Sequence, residues 1–158
     1  MSKTNIIGLD AAKASSLAEQ LNQLLADFQI FYINLRGFHW NIRGPHFFEL
    51  HIKFEELYTD ALVRIDEIAE RILTLGHKPL HTFSDYLKHS KLQERPNLHD
   101  AHGAVSAVLE GFSQLIQMER SIGEEADKAG DEGTSALMSD YLRMHEKWVW
   151  MYHAFLSA

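Results

Sequence analysis

The sequence predicts an all-α protein, a four-helix bundle with one long connection. Apolar residues recur at steps of three and four through four long stretches, which is the spacing of an amphipathic helix. Only three prolines and nine glycines occur among the 158 residues, which favours long helices over a turn-rich β fold. No alternating strand pattern competes with this interpretation, and we expect residues 1–158 to form a single domain.

The first two helices form a hairpin around a glycine–proline turn. The first is expected over about Asp10–Arg36. The second follows Gly44-Pro45, since proline suits the first turn of a helix. It is expected to stop at Gly76, with Pro79 just beyond, as helix ends commonly do.

The last two helices are separated by Gly130. The third is expected to begin near Pro96-Asn97, where Asn97 is a plausible N-cap, and to end around Gly130. The fourth is expected over about Thr134–Phe155. Both carry apolar stripes at helical spacing, so each should bury one face against the first hairpin.

The connection between helices two and three is unusually long. It runs from Gly76 to Pro96, whereas antiparallel neighbours usually need about two to eight residues. Within it, Thr82–Leu87 predicts a short helix capped by Thr82 or Ser84. A bundle with one long crossover is the ferritin-like arrangement.

Composition excludes several function classes. There are no cysteines, so disulfides, thiolate zinc sites and thiol nucleophiles are excluded, and a reducing compartment fits. A net charge of −7 argues against generic nucleic-acid binding, which needs basic surface. Residues 1–7 lack the build of a signal peptide, and no apolar run is long enough to span a membrane. We therefore expect a cytoplasmic protein.

Two histidines flank the first turn and are candidate metal ligands. His39 and His51 lie five and six residues from Gly44-Pro45. Residues equidistant from the turn of an antiparallel hairpin lie at the same height, so the two imidazoles are expected to face each other. A histidine near a helix end is, however, more often a cap or a packing residue, and that alternative stays open.

Carboxylates on helix two are candidate partners for the histidines. Asp66 and Glu70 are spaced i, i+4 and share one face, and Glu55 lies i+4 from His51. Imidazole with carboxylate and no thiolate suits Fe(II), Mn(II) or Zn(II). An Asp-x-x-x-Glu pair on a helix is more often part of a solvated face, so this spacing does not decide between a metal site and a solvated face.

One chain cannot bring these histidines and acids together. His51 and Asp66 are about 22 Å apart along a continuous helix. Two copies of helix two, antiparallel about a two-fold axis near Asp60 or Ala61, would bring His51 of one beside the acids of the other, and such dimers are common. An intrachain di-iron centre would require Glu-x-x-His motifs, and no Asp or Glu is followed three residues later by His.

Three segments resemble one known family. Residues 38–51, Phe-His-Trp-Asn-Ile-Arg-Gly-Pro-His-Phe-Phe-Glu-Leu-His, resemble the signature of the Dps proteins, the miniferritins. Residues 66–72 and Lys147–Met151 are similar to that family too, and the resemblance covers nearly the whole chain. It implies bundles assembled into hollow twelve-subunit shells. It also implies oxidation of Fe(II), preferably with hydrogen peroxide, and storage of ferric mineral as a protection against oxidative stress.

The resemblance also implies where a ferroxidase centre would lie. His39 and His51 would come from one subunit, and Asp66 and Glu70 from its two-fold partner. Glu55 stands where many members have aspartate, one methylene shorter, and is a candidate further ligand. Iron is the expected metal, and zinc or manganese is expected to compete for the same ligands.

Accessory roles are implied for a tryptophan and for three acids. Trp40 is a candidate trap for stray oxidising equivalents, with core packing as the alternative. Asp127, Asp131 and Glu132 lie in the region that lines acidic pores on the three-fold axes of family members. A third family pore acid falls at Ala136, and an acid favoured by the dipole at a helix start explains these residues equally well.

Two other functions remain open. The family is also named for DNA binding, and members that bind DNA directly tend to carry a lysine-rich tail. This sequence offers Lys3 and Lys13 near its start and no lysine in Phe155–Ala158. We therefore expect weak or no DNA binding, against the alternative of a nucleoid-associated protein that compacts DNA. A plain helical interaction module is the third possibility.

Overall fold

The computed structural model describes residues 3–157, and this part of the chain contains five helices and no strand. An isolated bridge joins Thr4 to Asp10. The helices are α1 (Ala11–Asn41), α2 (Phe47–Thr74), α3 (Phe83–His89), α4 (Ala101–Ala129) and α5 (Glu132–Leu156).

The four long helices pair as two hairpins. α1 packs along α2, α4 packs along α5, and the α1–α4 contact joins the two pairs, while the short α3 lies against α1. The predicted bundle with a short helix in its long crossover is confirmed. Among residues 3–157, no helix combines the length and the apolar character needed to cross a membrane.

The first helix is longer than predicted. Asp10 is its N-cap and accepts a hydrogen bond from the Lys13 backbone N–H at 3.0 Å, as a cap at that end should. The predicted end at Arg36 is wrong, because the helix continues to Asn41. Phe38 lies in this extension and is buried, so the apolar stripe carries the helix past the glycine that follows Arg36.

The start of α4 is also displaced from its prediction. Asn97 is not the N-cap; it lies in the preceding loop with a left-handed φ of 62°. Asp100 caps the helix, and its carboxylate accepts from the Gly103 backbone N–H at 2.7 Å. The fourth predicted helix likewise begins earlier, at Glu132, with Asp131 as its cap. Both caps are aspartates, and their negative charge also suits the positive end of the helix dipole.

The remaining helix ends follow the local signals. Gly76 and Gly130 have φ values of 87° and 70°, the left-handed conformation that ends a helix and favours glycine. Thr82, rather than Ser84, caps α3 and accepts from the Asp85 backbone N–H at 3.2 Å. Only the glycine–proline turn differs, since α2 begins at Phe47 after an N-cap at residue 46.

The core is apolar and closely packed at the centre of the bundle. Phe28, Phe54, Phe112 and Tyr141 are each at most 1% exposed. α1 and α4 approach closely where the Phe31 ring covers Gly111, because a Cβ at residue 111 would lie 2.6 Å from that ring. These contacts fix the rotation of each helix, and so decide which side chains face outward.

Candidate metal centre

His39 and His51 face each other across the first hairpin, as predicted. Their rings stack with centroids 3.8 Å apart and planes inclined by 13°. His39, near the end of α1, is 8% exposed, and His51, in the second turn of α2, is half-buried. The continuation of α1 to Asn41 is what brings the His39 ring to the level of His51.

Reciprocal hydrogen bonds fix the orientation of both imidazoles. Nδ1 of His39 lies 2.6 Å from the backbone carbonyl oxygen of His51, and Nδ1 of His51 lies 2.8 Å from that of His39. A carbonyl oxygen only accepts, so each Nδ1 carries the hydrogen and donates it. In the neutral imidazole, Nε2 then holds a lone pair, which is the arrangement that a metal-binding histidine requires.

Aromatic rings hold the pair from both sides. Phe47, one turn before His51 on α2, stacks on its ring with centroids 5.1 Å apart. Tyr58 meets His39 edge to face at 5.4 Å. Hydrogen bonds and ring contacts together leave these imidazoles little rotational freedom, so the positions of their Nε2 atoms are fixed. The contact from Tyr58 was not predicted, although its spacing of seven residues from His51 places it on the same side of the helix.

The carboxylates lie elsewhere on α2. Asp66, Glu70 and Glu55 are exposed, and their carboxylate oxygens make no hydrogen bond or ion pair with another residue in the range 3–157. α2 is unbroken from Phe47 to Thr74, so His51 and Asp66 are about 22 Å apart within one chain. In this range no group of three or more His, Asp or Glu side chains converges as a metal site.

The outward face of α2 is unusually apolar. Five large apolar side chains are exposed along it, and the free carboxylates lie among them. Its exposed apolar residues are Phe48 (81%), Ile52 (55%), Leu62 (53%), Val63 (48%) and Leu73 (58%). An apolar stripe of this length on a water-exposed helix is typical of an interaction surface.

The two-fold axis near Asp60 or Ala61 stays a prediction, and the structure shows which side chains lie on the outward face at that height. Ala61 is 2% exposed and packs in the core of its own chain, and Asp60 is held by Arg64, with N–O separation 2.8 Å. At that height the outward residues are Thr59 and Leu62. An axis relating two α2 helices would therefore pass over those two side chains.

Trp40 is not a core residue of the single chain. Its side chain is 64% exposed, which contradicts the core-packing alternative. The guanidinium of Arg36 lies over the indole at 4.8 Å and over the Tyr32 ring at 5.2 Å. Trp40 thus directly follows a candidate ligand in sequence and lies open to solvent in the isolated chain.

The three candidate pore acids differ in environment. Asp127 and Glu132 are exposed, and Asp127 accepts a hydrogen bond from the Ser135 hydroxyl at 2.6 Å. Asp131 is only 2% exposed, and its carboxylate is 2.6 Å from the Arg71 guanidinium. It also accepts from the Thr134 backbone N–H at 3.0 Å as the cap of α5. Asp131 is therefore a structural residue, and its carboxylate is not available to a hydrated ion.

The sequence did not predict the pairing of Arg71 with Asp131, nor a buried pair formed by Glu119 and His145. The sequence did contain a signal for the pair of Glu119 and His145. Glu119 lies at a position of the apolar stripe of α4, and His145 at one of α5. A titratable residue at a core position on each of two neighbouring helices indicates a partner across the bundle.

The fold is that of a ferritin-like protein, and comparison with known proteins agrees. The model of the family Ferritin, described as a ferritin-like domain, matches residues 18–158. A Dps structure from Vibrio cholerae O1 superposes with a TM-score of 0.97 at 54% identity, covering 99% of this chain and 98% of that chain. It is described as a member of a broad superfamily of ferritin-like diiron-carboxylate proteins.

Two further matches narrow the family. A DNA protection during starvation protein of Porphyromonas gingivalis is 45% identical over 152 residues, 96% of each sequence. A Dps structure from Bacillus brevis has a TM-score of 0.90 at 38% identity, covering 92% of this chain and 98% of that chain. The chain belongs to the Dps family of ferritin-like proteins.

Proposed function

We propose that this protein oxidises Fe(II) at centres shared between two copies of the chain and stores the ferric product inside a shell. The observation that carries the proposal is the reciprocal hydrogen bonding of His39 and His51, which directs both Nδ1 hydrogens to carbonyls. Two oriented Nε2 lone pairs, with no converging group of three or more ligands in the described residues, fit half of a metal site. In the proposal, Asp66 and Glu70 of the partner copy supply the other half.

The α2 surface supports a partner of this kind. An antiparallel second copy of α2 would cover the exposed apolar stripe from Phe48 to Leu73. It would also bring Asp66 and Glu70, whose carboxylates have no partner within the described chain, to the His39–His51 end of the first copy. Because a two-fold interface is symmetric, each such dimer would hold two equivalent centres. The twelve-subunit shell is our proposal for the complete assembly.

The chemistry follows from the ligand types. Neutral imidazole and carboxylate hold Fe(II) while leaving coordination positions open. Hydrogen peroxide takes one electron from each of two Fe(II) ions and, with two protons, gives two Fe(III) and two water molecules. Two-electron reduction releases no hydroxyl radical. Glu55, exposed one turn after His51, is the further oxygen ligand we propose, and zinc or manganese would compete for the same donors.

Accessory roles complete the proposal. Exposed Trp40, next to a ligand, would intercept stray oxidising equivalents. Exposed Asp127 and Glu132 would attract Fe(II) toward the shell, since fixed negative charge raises the local concentration of cations. Oxygen would serve as a slower oxidant.

Removing one ligand from either half of the centre tests the proposal. We expect His51→Ala and Asp66→Ala each to lower the rate of Fe(II) oxidation by peroxide by at least about 100-fold, because loss even of groups that only support ligands costs about 10–100-fold. The rate is measured by stopped-flow absorbance of the ferric product. Light scattering should show an assembly of unchanged mass.

Exposed residues of the same types, changed by His102→Ala and Asp140→Asn, serve as controls and should leave the rate unchanged. If His51→Ala and Asp66→Ala oxidise Fe(II) at the rate of the controls, the proposed centre is wrong. A protein that is monomeric by light scattering would contradict the shared centre and favour a helical interaction module.

A DNA-compacting role is the second candidate, favoured by the name of the Porphyromonas gingivalis relative. The charge opposes it, since each chain carries −7 and phosphate contacts supply most non-specific affinity. We expect no retardation of duplex DNA in a gel-shift titration near physiological salt. Tight binding that weakens steeply as salt rises would instead support the DNA role.

A further inference from the structure

A buried pair of titratable residues lies in the centre of the bundle, apart from the proposed metal centre. Glu119 of α4 is 0% exposed, and His145 of α5 is 1% exposed. Nδ1 of His145 lies 2.6 Å from one carboxylate oxygen of Glu119 and 2.9 Å from the other. These two residues join the helices of the second hairpin, and the proposed iron chemistry uses neither of them.

Aromatic rings enclose the pair and make its surroundings weakly polar. The His145 ring centroid lies 5.2 Å from that of Phe112, 5.8 Å from those of Phe28 and Trp148, and 6.0 Å from that of Tyr141. These side chains come from α1, α4 and α5. An unpaired charge in such a place is costly, so the proton content of the pair affects the stability of the packing around it.

A single added proton makes the pair neutral overall. When Glu119 is a carboxylate and His145 is a neutral imidazole, the pair carries one buried negative charge. With one proton more it is either an ion pair or two neutral groups. Burial raises the pKa of Glu119, while the hydrogen bond and the charge of His145 act in the opposite direction. The net upward direction agrees with the geometry, because the buried carboxylate favours its protonated form.

Few other charged groups face the pair. Arg120 and Glu146, the next residues on α4 and α5, are half-exposed and pair with each other, with N–O separation 3.2 Å. Tyr141 is a neutral phenol whose pKa is raised by burial and whose hydroxyl donates to Glu67 of α2 at 2.8 Å. The side that α1 presents is the uncharged Phe28 ring. Arg120 and Glu146 have opposite charges, so these neighbours add little net charge beside the pair.

We propose that Glu119 and His145 form a proton-dependent latch that holds α4 to α5, and that this hairpin loosens when rising pH removes the shared proton. The direction in which pH changes the stability follows from the linkage between proton binding and folding. A group whose pKa is higher in the folded than in the unfolded chain contributes stability that is present below its ordinary pKa. That stability is lost as the pH rises through the folded value. Opening would begin where Trp148 covers the pair, near the exposed end of α5.

Hydrogen exchange on the full-length assembled protein tests the latch. Peptides of α4 and α5 around residues 112–126 and 138–152 are followed by mass spectrometry from acidic to mildly alkaline pH. After correction for intrinsic exchange, we expect their opening equilibrium constant to rise by up to about tenfold per pH unit, the limit for one proton. Peptides of the first hairpin are the internal reference and should show a smaller change.

The variant Glu119→Gln distinguishes an effect of ionisation of the pair from an effect of its packing. Glutamine keeps the size and a hydrogen-bonding group but cannot ionise, so this variant should lose the rise in opening of α4 and α5 with increasing pH. Glu146→Gln, which changes the neighbouring surface pair, should retain it. Equal pH dependence in wild type and Glu119→Gln would overturn the proposal.

A second variant covers the case in which Glu119→Gln does not fold. The double change Glu119→Leu with His145→Phe replaces the pair by apolar side chains, a replacement that buried ion pairs often tolerate. It should fold with a flat pH profile in α4 and α5. A profile as steep as that of the wild type would contradict the latch.

Discussion

Two inactive variants, mixed as unfolded chains and refolded together, should recover about a quarter of the wild-type rate of Fe(II) oxidation. One variant carries His39→Ala and His51→Ala, and the other carries Asp66→Ala and Glu70→Ala. A mixed two-fold dimer joins intact histidines of one chain to intact acids of the other at one of its two centres. Random pairing makes about half of the dimers mixed, and half of their centres are intact.

The controls make the recovered activity specific to a shared centre. Mixing the two variants after each has assembled should restore nothing, because chains do not exchange without dissociation. Refolding either variant alone should also stay inactive. If all the ligands came from one chain, the refolded mixture would be as inactive as its components, so that outcome would contradict the assignment to two chains.

A large loss of stability is expected from Asp131→Ala. The change leaves the Arg71 guanidinium, 19% exposed, without its carboxylate and removes the N-cap of α5. Breaking a buried ion pair by removing one partner costs about 3–5 kcal/mol, and loss of a cap about 1 kcal/mol. Since Arg71 is partly exposed, we expect a total of about 3 kcal/mol, measured by guanidinium unfolding at fixed protein concentration.

Asp127→Ala is the matched control, because Asp127 is an exposed acid of the same region whose carboxylate accepts a hydrogen bond from the Ser135 hydroxyl. Asp127→Ala should lower the free energy of unfolding by no more than about 0.5 kcal/mol. Should Asp131→Ala prove as mild as this control while slowing iron uptake more, Asp131 would be a pore residue after all and its structural assignment would be wrong.

The ends of helices were predicted where one residue type acts alone. Gly76 and Gly130 end helices because a left-handed φ costs glycine little, and that preference depends on no distant contact. The caps at Asp100 and Asp131 were missed because several polar residues near each helix start compete, and the winner depends on where the helix begins to pack. The end of α1 was misplaced for a similar reason, since burial of Phe38 prolongs the helix.

The sequence predicted each half of the candidate centre separately, the pair of histidines and the acids that lie far from it. The facing of His39 and His51 follows from their distances to one turn, and the tertiary structure added the two hydrogen bonds and the rings that orient them. The separation of His51 from Asp66 follows from the rise of one helix. The exposure of Trp40 did not follow, because an aromatic residue beside a buried one can face either way until helix rotation is fixed.

By itself the sequence determined the all-α class, the long crossover, the resemblance to the Dps proteins and the impossibility of a four-ligand centre within one helix. These depend on spacing along the chain, which periodicity and residue type express directly. Only the tertiary structure decided that Asp131 is buried against Arg71 and that Glu119 meets His145 in the core. Such pairs join residues distant in sequence, and their distance depends on how each helix is rotated against its neighbours, which close packing of the whole core determines.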